Sequence, residues 1–176
     1  MSLVKINNNS IVSTAVPSFL AFRNSSQAIA NTTAVTIKWD SEVYDNTSAY
    51  NPSTGFFTPQ VAGTYVVGMQ FAFNSADDFE GIEATIFKNT GSNVEISRKM
   101  YRNENFESVT ATSQVTLDGN DDYVWWRIYQ ASGGSKDMKT GLGNSFGFAY
   151  KIIGVWLCVN VMANVSVVSR CKLILT

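Results

Sequence analysis

Carboxylates are the groups in this 176-residue chain whose spacing could do chemistry, because the chain contains no histidine. Without imidazole the usual general base, the triads that depend on it and the commonest zinc ligand are all excluded. Acids gather at Asp77, Asp78, Glu80 and Glu83, and again at Asp118, Asp121 and Asp122. Paired carboxylates could hydrolyse a substrate, and about six to eight oxygens could hold Ca²⁺. Neither run has the regular spacing of an EF-hand loop, and both fall where turns or strand ends are expected, so a solvated turn is the plainer reading. No catalytic residue, metal or cofactor is assigned on these grounds. Asp77, Asp78 and Glu80 are kept as candidate ligand-loop residues. Cys158 and Cys171 are the two cysteines, with twelve residues between them. A disulfide there would close a small hairpin in an oxidising setting, and the pair would stay as thiols in a cytosol. The sequence has no phosphate-cradling glycine loop, no CxxC pair and no nucleophile elbow.

The elements that must position these groups are strands. From Tyr65 every second residue is large and apolar (Tyr65, Val67, Met69, Phe71, Phe73), with smaller or polar residues between, which is the period of a strand with one heavy face. Asn51 to Gly55 and Pro59 to Gly63 supply the turns before it, enclosing a short strand over Phe56 to Thr58. Further strands are expected over Ser18–Arg23, Ala34–Trp39, Ile82–Lys88, Val94–Tyr101, Ser108–Leu117, Asp122–Gln130 and Ser145–Tyr150. The strands at Ser18 and Ala34 are expected to pair near the last of these. No long helical period and no internal repeat is present, so the fold class is all-β, a sandwich. Hydrophobic residues make up 45% of the chain against 15% charged, enough for one domain with a core. A net charge of −1 without a clustered basic face excludes a nucleic-acid partner.

Trp39, Asp45, Tyr50, Phe57, Gly63 and Tyr65 follow one another with five, four, six, five and one residues between them. This spacing resembles the signature of the globular head of the complement component-one q-subunit, a tumour necrosis factor-like jelly roll of about ten antiparallel strands. Leu117 to Val124 and Ser145 to Tyr150 resemble the downstream motifs of that family. Trp39 stands where the family usually has Phe, and Val67 and Met69 replace aromatics, all apolar for apolar. The resemblance covers residues 18–153, leaving 1–17 as an N-terminal docking peptide and 154–176 as an extended apolar tail. It implies a homotrimer that binds partners and is not an enzyme. In Asp122–Gln130, Val124, Trp126 and Ile128 share the buried parity, which puts Tyr123, Trp125, Arg127 and Tyr129 on the opposite face. That second aromatic face is expected to be a threefold interface, the other reading being a cover from the loop Gln130–Gly143.

The N-terminal segment has no apolar run of the length a secretory signal needs, and neither a collagen-like stalk nor a heptad repeat precedes the head. The tail is too short and too polar for a membrane span of about 20 residues and is expected to add strands to its own sheet or lie on a partner. Together with the Asn/Ser/Thr-rich composition, these features fit a bacteriophage virion protein made in the host cytoplasm. Two roles follow. One is a capsid decoration or attachment protein held to other virion proteins by its termini. The other is a tail-fibre head that recognises host-surface glycan or protein through Ser75–Gly81 and Gln130–Gly143.

Overall fold

Alternating large and small residues give each long strand one face to bury, and two sheets of such strands close over a shared core. The structure, a computed structural model, describes residues 16–74, 80–89 and 108–152 with their side chains; of 78–79, 94–101, 104–105, 155–163 and 166–174 it describes the backbone. In chain order the strands are β1 (Ser18–Phe22), β2 (Ala28–Ile29), β3 (Thr33–Thr36), β4 (Ser41–Asp45), β5 (Tyr50–Asn51) and β6 (Phe56–Phe57). They continue as β7 (Gly63–Ala72), β8 (Asp78–Phe79), β9 (Gly81–Lys88), β10 (Val94–Tyr101), β11 (Glu104–Asn105) and β12 (Ser108–Leu117). The last are β13 (Val124–Ala131), β14 (Lys136–Asp137), β15 (Phe146–Lys151), β16 (Val155–Ala163) and β17 (Ser166–Ile174). One sheet has five strands in the order β12-β7-β15-β1-β4, and the other has six, β10-β9-β13-β6-β5 with β3 also on β13. Among the described residues no helix is long and apolar enough to cross a membrane.

The heavy face of β7 is where its alternation predicts: Tyr65, Val67, Met69 and Phe71 are all fully buried. From the facing sheet β13 contributes Val124, Trp126 and Ile128, also fully buried. Trp126 is the hub. Its ring lies 5.9 Å from Phe19, 6.1 Å from Trp39 and 6.2 Å from Tyr50, and Phe19 stacks on Tyr50 at 4.4 Å. The tilted and edge-on arrangements suit the ring quadrupoles.

Of the six signature residues, Trp39, Tyr50, Phe57 and Tyr65 are buried in this core, and Asp45 and Gly63 lie half-buried at its edge. The Trp39 amide donates to the Tyr50 hydroxyl at 2.7 Å, and the Tyr50 amide donates to Asp45 Oδ2 at 2.7 Å. The Thr47 amide donates to Asp45 Oδ1, so that one carboxylate shapes the turn into β5. Phe57 is fully buried, Gly63 opens β7, and the Tyr65 hydroxyl donates to the Val61 carbonyl at 2.5 Å. Burial raises both phenols, Tyr65 to about 12; for Tyr50 the bond from the Trp39 amide only partly offsets it.

Two expectations about the early strands change. The strand expected over Ala34–Trp39 is β3, which stops at Thr36, and it pairs with β13 instead of lying near β15. The chain leaves the sheet there because Ile37 and Trp39 turn fully into the core, with the Ile37 amide still donating to the Trp126 carbonyl at 2.9 Å. β1 does pair with β15, as the meeting of first and last head strands requires. The tail is extended as expected: β16 and β17 pair with each other, and among the described pairings neither joins a sheet of the head.

Gly147 in β15 leaves the space that Trp39 fills. A Cβ at Gly147 would fall 2.2 Å from Trp39 Nε1 and 2.4 Å from its Cε2. Trp39 is fully buried and has nowhere to shift. Gly147→Ala is therefore expected to lower stability by about 1–3 kcal/mol, read as an earlier urea midpoint. Gly68→Ala is the control: its Cβ would meet Phe148 Cζ at 2.3 Å, but Phe148 is only half-buried and can swing outward, so the loss is smaller.

Arg23 is a buried cation at the end of β1. Its guanidinium donates to the Lys38 carbonyl and, at 3.0 Å, to the Ser25 carbonyl, and it lies 3.5 Å from Asp40. Desolvation alone would raise Asp40, but hydrogen bonds from the Asn24 amide and from Ser25, together with the Arg23 charge, outweigh it and hold the carboxyl below its ordinary range. A depressed carboxylate adds stability that is complete above its unfolded pKa of about 4 and is lost as pH falls through the lower folded value. Asp40→Asn should accordingly flatten the acid limb of a stability-against-pH curve below about pH 4. An unchanged limb would show that this carboxylate is not coupled to folding.

Candidate association surface

The inward face of β15 is made of the small residues Gly147 and Ala149, so its large residues, Phe146, Phe148 and Tyr150, face outward. Strand register sets them among neighbours of the same kind. One row across the five-stranded sheet runs Tyr44, Leu20, Phe148, Gly68, Thr112. A second runs Ser41, Phe22, Phe146, Gln70, Thr110, and a third Ser18, Tyr150, Val66, Gln114. No charged residue lies in these rows. Along β15 the rings form a near-parallel stack, Phe146 to Phe148 at 6.4 Å and Phe148 to Tyr150 at 6.1 Å. Gly68 makes room for the middle ring, which lies directly over its Cα. Tyr44 and Tyr150 are each 47% exposed, among the most exposed large apolar side chains described. Clustered exposure of this kind, unlike scattered apolar residues, marks a surface that another molecule covers. On the β7–β12 half of the same face these rows carry Gln70, Thr110, Thr112 and Gln114 beside Gly68 and Val66, so a more polar half lies beside the aromatic one.

The four residues expected to form a threefold contact do share the outward face of the six-stranded sheet, as their parity predicts, but their own subunit covers much of them. Trp125 is only 9% exposed; its ring stacks on Phe87 at 4.5 Å, and its indole N–H donates to the Asn89 carbonyl at 3.1 Å. Tyr123 stacks on Phe56 at 4.5 Å. Arg127 lies 4.5 Å above the Phe87 ring and donates to Glu83 at 3.0 Å, and Glu83 also accepts from the Thr85 hydroxyl at 2.6 Å. Tyr129 is half-buried and is the register partner of Glu83. Phe87 and Phe56, from strands beside β13, lie against Trp125. Rings that stack face to face on one another have few faces left for a partner.

Two members of the second acidic run are used within the fold. Asp118 and Asp122 brace one turn: Asp118 Oδ1 accepts the Asn120 and Asp122 amides, and Asp122 Oδ2 accepts the Asp118 amide. Asp122 also pairs with Lys88 at 2.7 Å and accepts from Asn89. Desolvation pushes this carboxyl up, but those hydrogen bonds and the Lys88 charge more than reverse it, so its charge is used within the turn. Asp77 lies outside the described residues, Asp78 is described only as backbone in β8 paired with β11, and Glu80 is exposed. Among the described residues no group of three or more acids or cysteines is placed to hold a metal ion. The N-terminal docking peptide falls almost wholly outside the described residues; Val16 and Pro17 are seen, their carbonyls accepting from Asn46 and Lys151.

A family model described as the C1q domain matches residues 18–149. Among solved structures, the globular domain of zebrafish complement 1qA is 16% identical with a TM-score of 0.54, covering 78% of this chain and 98% of that one. Murine APRIL at pH 5.0 is 11% identical with a TM-score of 0.59, covering 78% and 99%. The Eiger TNF of S. frugiperda is 13% identical with a TM-score of 0.52, covering 78% and 92%. At these identities the likeness is one of fold. Among curated proteins, none matches the chain.

Proposed function

The chain belongs to the C1q domain family, and on that premise we propose that it is a non-enzymatic homotrimeric head that serves as a structural or attachment protein of a bacteriophage virion. The observation that carries the trimer is the charge-free aromatic face around Phe146, Phe148 and Tyr150, flanked by Leu20, Phe22 and Tyr44. Aromatic side chains bury about 150–250 Å² each, so a few of them reach the roughly 800 Å² per partner of a stable interface. The contact is placed here rather than on Tyr123, Trp125, Arg127 and Tyr129, because the first three already find partners within the subunit. Light scattering on the purified chain should give three times the 19.3 kDa monomer mass, and a monomer at working concentration would overturn the reading. The double variant Trp125→Ala, Tyr129→Ala should remain trimeric.

The virion setting rests on the Asn/Ser/Thr-rich sequence and the apolar tail, with the termini as anchors to other capsid proteins. A receptor-binding role at a tail fibre has its own support in the turn after β13. Asn31 Oδ1 accepts the Ser132 and Gly133 amides, and Gln130 Nε2 donates to the Ile29 and Gly134 carbonyls. The turn is therefore fixed at its base, while no atom lies within 4 Å of a Cβ built at Gly133 or Gly134. A rigid, open loop of this kind suits recognition of a host-surface glycan or protein. Binding to host cells that disappears on changes at 131–135 would favour it, whereas co-purification with capsids independent of that loop favours the structural role.

A further inference from the structure

The tail hairpin aligns the chain's two cysteines. In the β16–β17 pair Cys158 and Cys171 are register partners, directly opposite one another. Opposed residues of an antiparallel pair have Cα atoms about 4.5 or 5.5 Å apart, and a disulfide requires about 4.4–6.8 Å. The pairing of residue types supports this register independently. On the face that carries the cysteines, Trp156 is the register partner of Leu173, Asn160 of Ser169 and Met162 of Val167, so residue types are matched apolar with apolar and polar with polar. A slip of one residue would put Cys158 opposite Lys172 or Arg170 instead of Cys171. A slip of two would move the cysteines onto a diagonal of about 7–8 Å, beyond reach.

We infer that Cys158 and Cys171 are a redox-closed cross-strand pair that staples the tail hairpin. An isolated two-stranded hairpin is marginal in water, and the staple supplies what no third strand does among the described pairings. A low-molecular-weight disulfide such as glutathione disulfide is the oxidant. One cysteine thiolate attacks it, forming a mixed disulfide and releasing one thiol. The second cysteine then displaces the remaining glutathione thiolate, which takes up a proton, so that two protein thiols are oxidised and one small disulfide is reduced. Given that oxidant, closure depends on the register and does not rest on the proposed function. In the virion reading it would follow release from a reducing cytoplasm, locking an anchor already in place.

The test uses the full purified chain, incubated with glutathione disulfide, alkylated with iodoacetamide and read by intact mass and non-reducing electrophoresis. The expected product runs as a single chain, carries no alkyl group and is lighter than the reduced chain by about 2 Da, the mass of two hydrogens. A proteolytic fragment joining Cys158 to Cys171 should disappear on reduction. Cys171→Ser should instead stop at one glutathione adduct on Cys158. Two alkylated thiols, two glutathione adducts on the wild-type chain or chain-to-chain crosslinks would each overturn the assignment.

Discussion

Trp126→Ala is expected to lower the stability of the head by about 3–5 kcal/mol. That is a large share of the roughly 5–15 kcal/mol that holds a domain folded. The indole is fully buried between the sheets and touches Phe19, Trp39 and Tyr50, which come from three separate segments, so no one neighbour can move to fill the gap. Trp125→Ala should lose less. Trp125 faces outward, and removing it gives up one stacked pair and one hydrogen bond, with solvent filling the space. Trp126→Phe should recover much of the loss, because Trp126 Nε1 has no hydrogen-bond partner among the described residues and the swap removes that buried donor. Urea unfolding of the three variants ranks them, and a Trp125→Ala loss equal to that of Trp126→Ala would contradict the division of faces.

The second large effect is on assembly. Phe148→Lys combined with Tyr150→Lys places two charges on the stacked row of β15, at positions that are half-buried and exposed in the single subunit. The isolated head should tolerate them, since neither side chain is part of the buried cluster. In a trimer the same charges would be desolvated without partners, at several kcal/mol per ion in each contact. The variant is expected to fold with an unchanged far-ultraviolet spectrum and to run as a monomer. Single substitutions at Thr112 or Gln114, on the polar half of the face, should have much weaker effects.

Much of this architecture is legible in the sequence wherever one rule governs a strand. The alternation from Tyr65 to Phe71 fixes the inward face of β7, and parity in β13 separates Trp126 from Trp125 although the two are adjacent. Trp39 is harder, because its burial comes from a turn out of the sheet and not from a strand period; the sign of it is Gly147, far away in sequence, whose missing side chain the indole occupies. The association face is not legible in the sequence for a related reason. Phe146-Gly147-Phe148-Ala149-Tyr150 looks like an ordinary closing strand with its large residues inward. Only the bulk of Trp39 behind it shows that the small residues must face the core and the rings must face out. In β13 the aromatic outward face was visible, but the rings that cover it, Phe56 and Phe87, belong to strands whose adjacency to β13 is set by topology.

The central claim is that the outward face of β15 joins three copies of this head. Its most direct test is the native mass, by light scattering, of the Phe148→Lys, Tyr150→Lys chain beside the wild type at equal concentration. The account predicts 19.3 kDa for the variant and three times that for the wild type. A variant that keeps the wild-type trimer mass while folded would contradict it and return the contact to another surface.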